Sequence, residues 1–235
     1  MAVALQVLMF FPRGGSAQVV RYLAREIAAV GGRFRPRVVA GSLGPPGGPA
    51  DARAFFAGLD LVAVDYDAAL AAPDPIAASP PFHPSYEDRP GAPDRVMAAL
   101  GDDALEHLVA EWQRILGAPG VLDDVEVAHL HHLTPAHEAL ARLRPDLPVV
   151  THLHGTELLM LEQIDAGVRW CRWATSTSSS TPGAPRIRSH SATRCSNASS
   201  SRAAITRSGA PGRSSYEGWK GGEAAIGSGA ASAAS

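Results

Sequence analysis

Apolar residues in the first two thirds of this chain change their period repeatedly, and each change marks an element. Val3 to Phe11 is an almost unbroken apolar run, as expected of a strand buried on both faces. Pro12-Arg-Gly-Gly-Ser16 ends it. Val19, Val20, Leu23 and Ile27 then recur at helical spacing with Arg21, Arg25 and Glu26 facing out, and Gly31-Gly32 stops that helix. Arg37 to Ala40 reads as a short second strand, Gly41 to Pro49 as a loop, Asp51 to Gly58 as a helix of two turns, and Leu59 to Asp65 as a third strand. From Ala71 to Pro93 the chain is proline-rich and aperiodic, which predicts a long irregular excursion; such loops in compact domains are often functional. Asp94 to Leu100 and Asp103 to Leu116 predict a helical stretch. Asp103 and Glu106 stand at capping-box spacing there, and Leu105, Leu108, Trp112, Ile115 and Leu116 form the buried face.

A strand-helix-strand unit follows. Val125 to His129 and Leu147 to Thr151 are short, apolar and rich in β-branched residues. Thr134 to Arg144 between them has Thr134 as cap, Pro135 at the first helical position, and Ala139, Leu140 and Leu143 facing in. Thr156 opens another helix running to about Trp173. The alternation predicts an α/β fold, a Rossmann-like parallel sheet with helices on both faces.

Near residue 173 the pattern stops. The last Leu is Leu161, the last Asp Asp165 and the last Val Val168, whereas 16 of the 20 serines fall in residues 174–235. A segment this poor in aliphatic residues buries too little surface to offset its ordering entropy. The expectation is a domain over 1–173 and an irregular, low-complexity segment over 174–235. A reading-frame change in a GC-rich coding sequence and a genuine low-complexity tail both account for that text; the 14 Arg and no Lys of residues 1–173 fit a GC-rich source.

Charge follows the same division. The net of −2 hides −7 over residues 1–173 and +5 beyond. A domain with that acidic balance lacks the basic stripe of a nucleic-acid binder. Cys171 and Cys195 are the only cysteines, so the body is built without disulfides and suits a reducing compartment. The apolar start has no basic n-region, its first cation being Arg13, and reads as a strand rather than a signal peptide. With no apolar run near the roughly 18 residues of a membrane span, the expected location is the cytoplasm.

Five of the nine histidines crowd into His129-Leu-His-His132 and His152-Leu-His154, at the carboxyl ends of two predicted parallel strands. That edge of an open α/β sheet is where ligands bind. Gly14-Gly15 joins the first strand to a helix N-terminus, where free N–H groups favour an anion and glycine lets a phosphate or sugar approach the backbone. Gly155-Thr156 makes a second such turn, with Thr156 at the N-cap and Glu157 in the first turn. His131, His132, His152 and His154 invite a metal, but neither H-L-H-H nor H-L-H-G supplies a nearby Asp, so no metal is expected. His83, His107 and His137 read as surface residues.

Taken in order, Phe10-Phe-Pro-Arg-Gly-Gly-Ser-Ala-Gln-Val-Val-Arg-Tyr-Leu-Ala24, Val127-Ala-His-Leu-His-His132 and Val149-Val-Thr-His-Leu-His-Gly-Thr-Glu157 resemble the N-terminal half of glycosyltransferase family 4 enzymes. These have two Rossmann-like domains facing across a cleft, the GT-B architecture. The resemblance covers roughly residues 1–170. It implies a retaining, metal-free hexosyl transfer from a nucleotide-sugar donor to a sugar or lipid-linked acceptor. It requires no cofactor and no stable protein partner, and a lipid-linked acceptor would bring contact with the inner face of the membrane. Gly14 and Gly15 look like the glycine loop near donor phosphate and sugar. His154 looks like the histidine beside the transferred sugar, the catalytic position, and His131 lines the cleft. His132, Thr156 and Glu157 join the ligand-binding set. The family's second domain carries a Glu-x7-Glu signature, and nothing after Trp173 resembles it, Glu217 and Glu223 being the only acids there; the resemblance thus implies half an enzyme, inactive alone. The competing readings are a free-standing sugar- or nucleotide-binding module and a metal-dependent hydrolase using the histidine pairs.

Overall fold

Parallel strands dominate the computed structural model, which describes residues 1–87 and 93–157. The helix expected to reach Trp173, the segment 174–235 and the boundary between them lie outside the described residues, apart from the helical Thr156 and Glu157. The strands are β1 (Ala2–Leu8), β2 (Phe34–Ser42), β3 (Asp60–Asp65), β4 (Val125–His131) and β5 (Val149–His152), in the order β3-β2-β1-β4-β5, and every pairing is parallel. This is the Rossmann-like α/β sheet the periodicity predicts. Its order reverses between β1 and β4, which opens a crevice at their carboxyl ends.

The helices are α1 (Gly15–Val30), α2 (Ala52–Phe55), α3 (Asp67–Leu70), α4 (Asp102–Leu116) and α5 (Ala136–Leu143), with a 3-10 turn at Met97–Ala99. Alternate residues of β1 feed two cores. Val3, Leu5, Val7 and Met9 pack with Val109, Trp112 and Leu116 of α4 and Ala139 and Leu140 of α5. Leu8 and Phe10 pack with Ala17, Val20 and Ala24 of α1 and with Val38 and Ala40 of β2. The buried line of α1 is therefore Ala17, Val20 and Ala24; Val19, Leu23 and Ile27 flank it half-buried.

Several ends differ from the sequence reading. β2 is nine residues long, and Arg37, only 8% exposed, is anchored within it. Its guanidinium donates to Asp60 Oδ2 at 2.9 Å and to the carbonyls of Gly120 and Val121. Glu106 makes no capping box with Asp103: α4 starts at Asp102 after Gly101, and Glu106 is drawn to Arg142 of α5. Thr134 does not cap α5 through its hydroxyl. α5 has no side-chain cap; the ring of His137, 2% exposed, instead ties the helix start to β5, donating Nδ1–H to Thr134 O at 3.1 Å and accepting from Thr151 Oγ1 at 3.2 Å. His137 and His83 are thus core rather than surface residues, whereas half-buried His107 donates to Ala78 O at 3.0 Å.

Gly41 lies within β2 rather than in a loop. A Cβ there would meet Tyr66 Cε2 at 2.4 Å, Met9 O at 2.7 Å and Phe11 N at 2.9 Å. Tyr66 is fully buried and donates to Met9 O at 2.6 Å, so neither neighbour yields freely. Gly41→Ala is therefore expected to cost about 1–3 kcal/mol by overpacking, read as a lowered urea midpoint; an unchanged midpoint would mean the strand end relaxes.

Candidate functional site

The carboxyl edge is built by the register of three strands. Leu8 of β1 pairs with His131 of β4, and His131 pairs with His152 of β5. Side chains two apart share a face, so His129 and His131 lie together, with His152 beside them and His154 continuing the line. The rings stack: His129 and His131 have centroids 4.3 Å apart, as do His152 and His154. His131 Nε2–H donates to Gln6 Oε1 at 3.2 Å, and its Nδ1 accepts from His154 Nε2–H, also at 3.2 Å.

His132 points elsewhere. Its φ of +65° belongs to the left-handed region, a conformation costly for a residue with a Cβ and held by its surroundings. The ring is buried, and Nδ1–H donates to Glu157 Oε1 at 2.6 Å, while Glu157 Oε2 accepts the His154 backbone N–H at 3.1 Å. Burial opposes ionisation of Glu157, but these hydrogen bonds outweigh it and leave its pKa below the ordinary carboxylate value. The sequence reading puts Glu157 and His132 among ligand-contacting residues; in the structure the 1% exposed carboxylate of Glu157 instead holds His132 and His154 in place. Thr156 is likewise not the cap expected of it: Gly155 precedes it at φ +96°, and its buried Oγ1 has no hydrogen-bond partner among the described residues.

The glycine turn reaches the same edge. Gly14 has φ +74°, α1 has no side-chain cap and no acid in its first turn, and a Cβ on either Gly14 or Gly15 would meet nothing within 4 Å. Arg13 lies over Phe11 and Phe10, at 4.7 and 5.8 Å from the ring centroids, and pairs with Asp94 at 3.5 Å. Phe10 meets His132 edge-on at 5.0 Å, and His132 meets His154 at 4.4 Å. A continuous line of rings thus joins the turn to the histidines.

The aperiodic excursion is part of this edge. It delivers buried Phe82 and His83 against Tyr66, Phe11 and Phe10, and Tyr86, whose hydroxyl donates to Leu133 O at 2.9 Å. Residues 88–92 of it lie outside the described set. A separate concavity of about 330 Å³ sits at the opposite, amino edge, between Met1, Asp124, Glu126 and Arg144, with no imidazole near it. The histidine cluster is at the carboxyl edge.

Burial, then neighbouring His132 and His152, lower the His154 pKa to about 4, and burial with neighbouring His129 and His154 drives that of His131 far down. Both rings are neutral at pH 7 and act as hydrogen-bond donors and acceptors rather than cations. The sequence reading placed His129 at this edge but left it out of the candidate ligands; its ring nitrogen lies within 4.8 Å of those of His131 and His152, and the alternation H-x-H across two paired strands was the available signal. The chain matches no protein-family model, and no curated protein aligns with it significantly. Among the described residues no helix is long and apolar enough to cross a membrane.

Glu157→Ala would strand the Nδ1–H of a buried histidine. The expected cost is about 1–3 kcal/mol, measured by chemical denaturation, with Glu157→Gln closer to wild type because an amide oxygen still accepts. Equal losses in both variants would count against the hydrogen-bond account.

Proposed function

We propose that residues 1–173 are the acceptor-side domain of a retaining glycosyltransferase, moving a sugar from a nucleotide-sugar to a sugar or lipid-linked acceptor and requiring a second domain for turnover. The observation that carries this reading is that an uncapped helix N-terminus at Gly14-Gly15 and neutral His131 and His154 lie on the carboxyl edge of one parallel sheet. Backbone N–H groups suit a phosphate. Neutral imidazoles suit sugar hydroxyls, to which they donate or from which they accept without the cost of a buried charge. His154 is the residue proposed to meet the transferred sugar and to assist proton movement from the acceptor hydroxyl. His131 holds the His154 ring through the 3.2 Å bond, and Glu157 holds the His154 backbone. No step of this transfer is routed through a metal.

The test is a titration of the full chain with nucleoside diphosphate sugars and simple glycosides, followed through the imidazole nitrogen resonances. His131 and His154 should shift on binding while core His137 stays still. Gly15→Ala, whose methyl enters open space where a ligand would lie and is sterically tolerated by the fold, should weaken the response. Unmoved histidine resonances across the panel, or an undiminished response in Gly15→Ala, would overturn the assignment.

A further inference from the structure

We infer that His129, His131 and His152 form a binding site for a first-row divalent transition metal, with zinc as the best-suited ion, on the face of β4 and β5. The inference does not rest on the transferase reading, although both use His131. One ring nitrogen from each of these three residues lies within 4.8 Å of the others. The parallel register makes this so: His131 faces His152 across the strand pair, and His129 sits two residues back on the same face. Tetrahedral zinc with nitrogen ligands at about 2.0–2.1 Å holds those nitrogens roughly 3.4 Å apart. Ring rotations therefore close the site without moving a strand.

Two further features fit an ion. His129 Nε2 is buried and has no hydrogen-bond partner among the described residues, a lone pair or N–H with nothing to satisfy it. Gln6, 2% exposed in β1, takes the Nε2–H of His131. That leaves Nδ1 as the nitrogen of His131 that carries the lone pair, as in metal-bound histidines whose second nitrogen donates to an outer partner. His154 Nε2–H occupies that lone pair in the metal-free protein, and an ion at the site would replace it. The sequence reading set metal aside for want of a nearby Asp. Three imidazoles need none, because a zinc set of three histidines with water in the fourth place is a known arrangement. The absence of a carboxylate also selects the ion: imidazole suits zinc, cobalt, nickel and copper, whereas magnesium and calcium require oxygen ligands.

Cobalt(II) is the direct probe. Titrated into the purified metal-free chain, it should bind at one equivalent, give the intense visible absorption of a tetrahedral site, and be displaced by zinc. His129→Ala and His152→Ala should each weaken binding by more than the roughly 10–100-fold that losing an outer partner costs, and Gln6→Leu should fall within that range. His107→Ala, remote from the cluster, should leave it unchanged. Since Gln6 is buried, His129→Gln on the half-exposed face provides a variant that keeps the fold, checked by its circular dichroism. A weak octahedral cobalt spectrum, or binding indifferent to His129 and His152, would overturn the site.

Discussion

His154→Ala, in a two-domain form able to turn over, is expected to lower sugar transfer by roughly 10²–10⁴-fold, the loss that follows removal of a positioned general acid or base. The substitution removes a ring that stacks on His152 at 4.3 Å and donates to His131 at 3.2 Å. It lies at the open edge of the sheet, outside both hydrophobic cores, so the folded fraction should barely change. The measurement is kcat and KM at saturating donor, with a denaturation curve beside it. Because burial and neighbouring histidines hold its pKa near 4, the role rests on neutral imidazole, and activity should persist down to about pH 5 rather than fall at the usual histidine pH. A rate that breaks near pH 6.5 would mean that another group carries the proton. Near wild-type turnover in the mutant would reduce His154 to a structural contact.

The second large effect is acid destabilisation. His137 is 2% exposed, and burial lowers its pKa from 6.5 to about 4, against the opposing hydrogen bond to Thr134. A base whose folded pKa is depressed binds fewer protons folded than unfolded. The stability it leaves intact above pH 6.5 is lost as the pH falls from 6.5 toward 4. The expected loss from this residue is about 2 kcal/mol by pH 5 and about 3 kcal/mol by pH 4. His131, 1% exposed and shifted the same way, adds to it. Urea midpoints between pH 7.5 and 4.5 measure the slope. Replacing His137 by Gln, which titrates nowhere in this range, should make it shallower. A flat profile would show that these rings protonate within the fold.

The proposed metal site and the proposed sugar site share His131, whose two nitrogens serve Gln6 on one side and His154 on the other. Binding an ion at Nδ1 would free the His154 ring, so the two readings can be separated: cobalt spectra report the first, and imidazole shifts caused by nucleotide-sugars report the second.

The sequence by itself determined the sheet and its order of elements. Periodicities of two and 3.6 are written in nearby residues, and the strands of β1, β4 and β5 carry enough apolar character to be buried wherever they pair. It also placed the five histidines at strand ends, because a strand's carboxyl end follows from where its apolar run stops. What tertiary structure alone decided is which partners those residues found. Glu157 became the buried acceptor for His132 rather than a surface ligand, and Glu106 left its own helix start for Arg142. Thr134 capped nothing through its hydroxyl, its carbonyl took the ring N–H of buried His137, and the aperiodic excursion delivered His83 to the core. Gly41 proved to be in the strand, pressed by Tyr66 from 25 residues further on. Each of these depends on a contact between distant segments, which no local pattern encodes. The grouping of His129 with His131 and His152 is of the same kind: spacing puts two of them on one face, and only the register of β4 against β5 brings the third within reach.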